Sequence, residues 1–126
     1  PLMISMKTQL DLVKEFHQKF HAPVLEEPSL IPPDRYRLRH KLMSDEVAEY
    51  LEGVQKGDLD NVAKELADIL YAVYGTILEH GLQDKMEEIF DEVHRSNMSK
   101  DYSPYKMIKG ERYFPADVKK VLGKKV

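Results

Sequence analysis

Two short acidic stretches carry the clearest chemistry in the chain. The first is Asp45-Glu46-Val47-Ala48-Glu49 and the second is Glu65-Leu66-Ala67-Asp68. In each, two acids stand three residues apart within a segment that reads as helix. Side chains at i and i+3 share one helical face, with Cβ atoms roughly 5–6 Å apart. Glu46 and Glu49 thus form one carboxylate pair, and Glu65 and Asp68 form a second. Antiparallel packing of the two helices would bring the pairs face to face. Four carboxylates in one place repel one another unless a cation neutralises them. Hard oxygen ligands favour Mg2+, Mn2+ or Ca2+ over zinc. Spacing alone leaves a second reading equally open, in which the acids form a salt-bridged face with Arg39, Lys41 or Lys64. Glu65 and Asp68 sharpen the choice. Leu66, Ala67, Ile69 and Leu70 surround them, and an unpaired acid in apolar surroundings is costly.

The elements that must position these acids read as helices. A first helix is expected from about Thr8, as cap, to Phe20, with an apolar stripe of Leu12, Val13, Phe16 and Phe20. Pro23, Pro28, Pro32 and Pro33 then interrupt regular structure. Its apolar Val24, Leu25, Leu30 and Ile31 predict that the loop lies against the helices. The second helix starts near Pro33 or Asp34, since proline suits a first turn, and runs to about Val54. Gly57-Asp58 reads as a turn with Asp58 as the next cap. The third helix spans about Leu59 to His80 and stops at Gly81. Its wide apolar surface, from Val62 to Leu78, predicts burial on more than one side. A fourth helix is expected from about Leu82 to Asn97, with Met86, Ile89, Phe90 and Val93 inward. Beyond it Ser103-Pro104-Tyr105 and Lys109-Gly110 read as loop, followed by a short helix over 116–122. Short connections between helices predict an antiparallel bundle. The fold class expected is therefore all-α, a four-helix-bundle core with an irregular basic C-terminal segment.

Composition fits this plan. The 126 residues suit a single domain over 1–126, and 42% hydrophobic content supplies a core. The chain has no cysteine, which removes disulfides, thiolate nucleophiles and cysteine-based zinc sites. Cysteine-free composition suits a cytoplasmic location. No apolar run approaches the roughly 20 residues of a membrane span. The opening Pro1-Leu2-Met3-Ile4 lacks the length and basic start of a signal peptide. Net charge is −3, unevenly divided. Residues 1–94 hold 19 acids and 10 bases, and residues 95–126 hold 3 acids and 9 bases. A basic segment can meet phosphates, although the last lysines, Lys119, Lys120, Lys124 and Lys125, read as a solvated tail. His17, His21, His40, His80 and His94 are scattered without metal-ligand spacing. Of Arg35, Arg37 and Arg39, at least two are expected in solvent. Tyr71 and Tyr74 suit core packing better than stacking on a base.

The order Asp-Glu-x-x-Glu, a Gly-Asp turn, then Glu-Leu-Ala-Asp-Ile-Leu-Tyr resembles the all-α NTP pyrophosphatase superfamily. That group contains the MazG-type enzymes, dimeric dUTPases and phosphoribosyl-ATP pyrophosphohydrolase. The run His94-Arg95-Ser96-Asn97-Met98-Ser99-Lys100 also resembles a signature near the end of the fourth helix in MazG-like members. The likeness covers roughly residues 33–122. It implies a bundle of MazG-like type in which Glu46, Glu49, Glu65 and Asp68 bind Mg2+, with Mn2+ as a substitute. It implies cleavage between the α- and β-phosphates of a nucleoside triphosphate, giving a monophosphate and pyrophosphate. The first motif position is usually Glu in the family and is Asp45 here. Asp45 is a candidate to hold a second metal or orient water, and Asp45, Glu46 and Glu49 are the candidate catalytic acids. Lys100 and Asn97 are candidate substrate contacts, a point charge for phosphate and a hydrogen-bonding amide. The likeness also implies a homodimer or homotetramer, with no nucleic acid or membrane partner. House-cleaning hydrolysis of a (d)NTP is the first expectation and phosphoribosyl-ATP pyrophosphohydrolysis the second. A helical binding module without catalysis is the alternative of a different class.

Overall fold

The computed structural model describes residues 5–123. The opening Pro1–Ile4 and the terminal Lys124 and Lys125 lie outside the described residues. The described residues form five helices and no strand. These are α1 (Lys7–Lys19), α2 (Pro33–Gln55), α3 (Leu59–Glu79), α4 (Met86–Met98) and α5 (Val118–Gly123). The expected all-α class holds. The chain divides into two compact units, Pro1–Gln83 and Asp84–Val126.

In the first unit α3 packs on both α2 and α1. Each helix has a local cause. Pro33 occupies the first position of α2, where its missing N–H costs nothing. Asp58 caps α3, its carboxylate accepting from the Asn61 N–H at 3.1 Å. Just past the α3 cap residue His80 stands Gly81, whose φ of +66° favours glycine, and whose missing Cβ leaves room for the Glu27 carbonyl. α1 departs from expectation. Thr8 lies inside the helix, Met6 is the cap residue, and the Lys7 N–H is satisfied by Ser5 Oγ at 2.9 Å.

The apolar core of this unit is Leu10 and Val13 of α1 with Ala72, Ile77 and Leu78 of α3. Burying each of the larger side chains contributes roughly 1.5–3 kcal/mol. Leu12, Phe16 and Phe20, expected in the stripe, are exposed instead, and His17 takes the inward position. The proline-rich loop is tied to the helix ends by hydrogen bonds and not by its expected apolar contacts, since Leu30 is 91% exposed and Leu25 is exposed as well. Leu25 donates to the Leu78 carbonyl, Ser29 to that of His80, and Gln83 Nε2 to that of Leu25.

In the second unit α4 packs on α5, with Ile89 and Val121 buried. Phe90 and Val93, expected inward, are exposed. Between the helices, Asp101 and Ile108 form an isolated antiparallel bridge. Ser96 Oγ donates to the Phe114 carbonyl at 2.8 Å, and Ser99 Oγ accepts from the Phe114 N–H at 3.1 Å. The two serines of the 94–100 run thus tie the irregular segment back to α4.

Candidate functional site

Residues 56–58 are the whole connection between α2 and α3. So short a turn reverses the chain and makes the helices antiparallel neighbours. Glu49 stands six positions before the end of α2, and Glu65 six positions after the start of α3. The hairpin therefore brings the two acidic faces to the same level. Carboxylate oxygens of Glu46, Glu49, Glu65 and Asp68 all lie within 4.8 Å of one another. Among the described residues, no other group of three or more His, Asp or Glu side chains converges in this way.

The cluster is poorly neutralised. Lys64 is its cation, 2.8 Å from Asp68 and 3.6 Å from Glu65, on a side chain 68% exposed. Arg39, the other expected partner, turns to Glu79, and Lys41 turns to Asp45. Glu65 is 4% exposed. Its Oε2, like the Oε2 of Glu46, is buried without a hydrogen-bond partner. Proton affinities respond to this crowding. The Glu49 carboxyl is exposed yet is pushed up to about 7, first by hydrogen bonding with Glu65, then with Glu46, and by their charges. Glu46 is raised chiefly by burial, against the stabilising hydrogen bond from Glu49, with the charges of Asp68 and Glu65 adding to the rise. Without a cation the site gathers protons instead.

The donor set suits a hard divalent cation: all oxygen, four acids, and two buried oxygens that no protein group satisfies. Two ligand oxygens on one ion are separated by at most twice the ion–oxygen distance, about 5.2 Å for Ca2+ and about 4.2 Å for Mg2+. The observed 4.8 Å fits the larger ion directly. The smaller needs the outermost oxygens to draw in by roughly 0.6 Å, within reach of carboxylate rotamer adjustment.

Asp45 lies outside the converging set. It accepts from Lys41 Nζ at 2.8 Å, with both side chains exposed. Asn97 and Lys100 belong to the second unit, where Asn97 is exposed at the end of α4 and Lys100 is half-buried just beyond it. Arg95 pairs with Glu92 at 2.9 Å and lies over the Phe114 ring.

One charged network escaped the sequence. Arg35 and Arg39 both reach Glu79, which is 1% exposed. Arg35 approaches with two N–H groups, at 2.9 and 2.7 Å. Arg39 donates to Glu79, to Thr76 Oγ1 and to the Ala72 carbonyl, at 3.0, 3.1 and 3.0 Å. Only Arg37 of the three arginines is the solvated residue expected, because the other two follow the i,i+4 spacing that puts them on one face of α2. Gly75 makes room for the network, since a Cβ there would meet Arg39 Nη2 and lie 2.9 Å from His17 Nε2.

No helix of the described residues is long and apolar enough to cross a membrane. No match was found among curated proteins. The sequence matches the phosphoribosyl-ATP pyrophosphohydrolase family over residues 13–97. That range contains both acid pairs. The chain therefore belongs to the phosphoribosyl-ATP pyrophosphohydrolase family, hydrolases of phosphoric anhydrides within the all-α MazG-like superfamily.

Proposed function

We propose that the chain is a Mg2+-dependent pyrophosphohydrolase that cleaves the α–β phosphate bond of a (d)NTP in a house-cleaning role. The observation that carries this is the convergence of four acids around buried oxygens that have no protein partner. A second reading, hydrolysis of phosphoribosyl-ATP, is favoured by the description of the matching family. The two share their chemistry. Water attacks the α-phosphorus, the bridging bond breaks, pyrophosphate leaves, and the water proton passes to a carboxylate.

A divalent cation held by Glu46, Glu49, Glu65 and Asp68 would supply charge neutralisation at the phosphates and alignment of the attacking water. Lys64, beside Glu65 and Asp68, tempers the charge of the cluster and holds Asp68 in place. The water proton would pass to Asp45, one turn before Glu49 on α2, or to one of the cluster acids. Lys100 and Asn97 are the proposed contacts to phosphate and substrate. The family match runs across the boundary between the two units, which supports their acting as one domain over 1–126. Exposed Val47, Leu51 and Val54 of α2 and Leu66 and Leu70 of α3 support a homodimer or homotetramer. A cytoplasmic location belongs to the same proposal.

A panel of (d)NTPs and phosphoribosyl-ATP with Mg2+, scored for pyrophosphate, tests the assignment. A monophosphate product from a (d)NTP supports the first reading, and phosphoribosyl-AMP as the sole product supports the second. No pyrophosphate from any member of the panel would leave a binding module without catalysis.

A further inference from the structure

The acid cluster accounts for the phosphate end of a nucleotide and leaves the other end unassigned. A cleft of about 190 Å3 is lined by residues of α1, α2 and α3, among them Glu46 and Asp68. It therefore adjoins the cluster. Its apolar lining comes from Phe16, Leu42, Tyr71 and Ala72. Phe16 and Tyr71 meet edge to face, with ring centroids 5.4 Å apart and planes at 87°. Both rings remain exposed, at 46% and 42%. Phe16 also meets Phe20, with centroids 4.8 Å apart and planes at 51°, and the exposed remainder of the Phe16 and Tyr71 rings is the surface open to a further π-system.

The polar lining is held rigidly. Arg39 is fixed by Glu79, Thr76 and the Ala72 carbonyl, which use three of its N–H groups. A guanidinium has five, so donors remain. His17 is 3% exposed and its Nδ1 pairs with the Pro23 carbonyl at 3.0 Å. Pockets that take in a whole drug-sized ligand have roughly 300–1,000 Å3. The smaller volume here suits one flat ring system and not an entire nucleotide. Aromatic surface, apolar walls and fixed polar groups beside a cation-binding cluster match one chemical class.

We propose that this cleft receives the nucleobase of the substrate, with Phe16 and Tyr71 as specificity-determining residues that stack on it. The inference rests on the proposed nucleotide chemistry at the acids, and adds which residues hold the end of the substrate that does not react.

The test compares two probes with Mg2+ present. One is the set of α,β-methylene analogues of ATP, GTP, CTP and UTP. The other is inorganic tripolyphosphate, which carries the phosphates and no base. Affinities are measured on the wild-type protein, Phe16→Ala and Tyr71→Ala, with Phe16→Leu and Tyr71→Leu keeping bulk without a π-face. The best analogue should lose roughly 5- to 150-fold in affinity on each substitution, the range of a lost base–aromatic stack. Tripolyphosphate affinity should stay where it was. Equal losses for both probes, or no loss, would overturn the proposal. So would a changed mass in sedimentation with the affinity ratio intact, because the rings would then serve contact with a second copy. If wild type hydrolyses nucleotides but the ratio does not move, this inference alone fails. If wild type binds neither probe and hydrolyses no nucleotide, the pyrophosphohydrolase reading fails with it.

Discussion

Replacing Glu65 with glutamine should raise the melting temperature of the metal-free protein, although the residue is 4% exposed. Buried-residue substitutions usually destabilise. Here the side chain keeps its shape and loses a charge that has too few partners. Unit charges 4.8 Å apart repel by about 3.5 kcal/mol at an effective dielectric of 20. Glu65 faces Glu46, Glu49 and Asp68 within that distance, a gross repulsion of about 10 kcal/mol with all four ionised. Proton uptake, solvent and the neighbouring Lys64 absorb most of it, leaving a net gain of about 1–2 kcal/mol. For a chain of this length each kcal/mol moves the melting temperature by roughly 3–6 °C. Little opposes the gain. Lys64 keeps Asp68 at 2.8 Å and is mostly solvated, so removing the Glu65 charge strands no buried cation. Circular-dichroism melts in EDTA and in Mg2+ make the measurement. Mg2+ at a hundredfold excess over Kd should add about 2.7 kcal/mol to wild type, and less to the variant. A Glu65→Gln variant that melts lower in EDTA, with Mg2+ shifting neither protein, would refute the reasoning and return the acids to a salt-bridged face.

The pH dependence of the metal-free protein follows from Glu49. Its carboxyl is raised to about 7 in the fold, so folding takes up a proton. The associated stability is full below the unfolded carboxylate range near 4.5 and is lost as pH rises through about 7. Melts in EDTA should therefore fall over that window, and flatten in Glu49→Gln. Glu79→Gln should cost about 3–5 kcal/mol in urea denaturation, because Arg39 is left buried without its counter-ion. A loss below about 1 kcal/mol would show that the arginine network is not what joins α2 to α3 there. Lys100→Ala should weaken binding of a nucleoside triphosphate more than that of the monophosphate in calorimetry. Equal losses, or none, would make Lys100 an ordinary surface charge.

The acid cluster was legible because every step to it is local. The i,i+3 spacing sets each pair, Asp58 caps α3, and a turn over 56–58 fixes the register between α2 and α3. The Glu79 network was not legible in the same way. Its partners lie 40 and 44 residues away, and nothing in three alternating arginines says which face turns inward. The i,i+4 spacing of Arg35 and Arg39 was the available signal, and Gly75 opposite them is its counterpart on α3. Apolar residues misled in another way. Phe16, Phe20, Phe90 and Val93 have helical spacing, but spacing gives a face and not what covers it. All four are exposed. The inward place expected of α1's aromatic stripe went to His17, whose imidazole has a backbone carbonyl to pair with at 3.0 Å. Ser96 and Ser99 were visible only as part of a resemblance. Their hydrogen bonds to Phe114 give that run a structural cause of its own.

The most direct test of the account is the rate of pyrophosphate release, on the best nucleotide of the panel, by Glu49→Gln and Asp68→Asn beside wild type. Each substitution removes one charged oxygen ligand at a position half-buried or exposed, so helical circular dichroism should be unchanged. Divalent-cation-dependent hydrolysis at Glu46, Glu49, Glu65 and Asp68 predicts a drop in kcat/KM of orders of magnitude in both variants, and none left in any protein with EDTA. Wild-type rates in both variants, with Mg2+ still required, would place the metal and the reaction elsewhere in the chain.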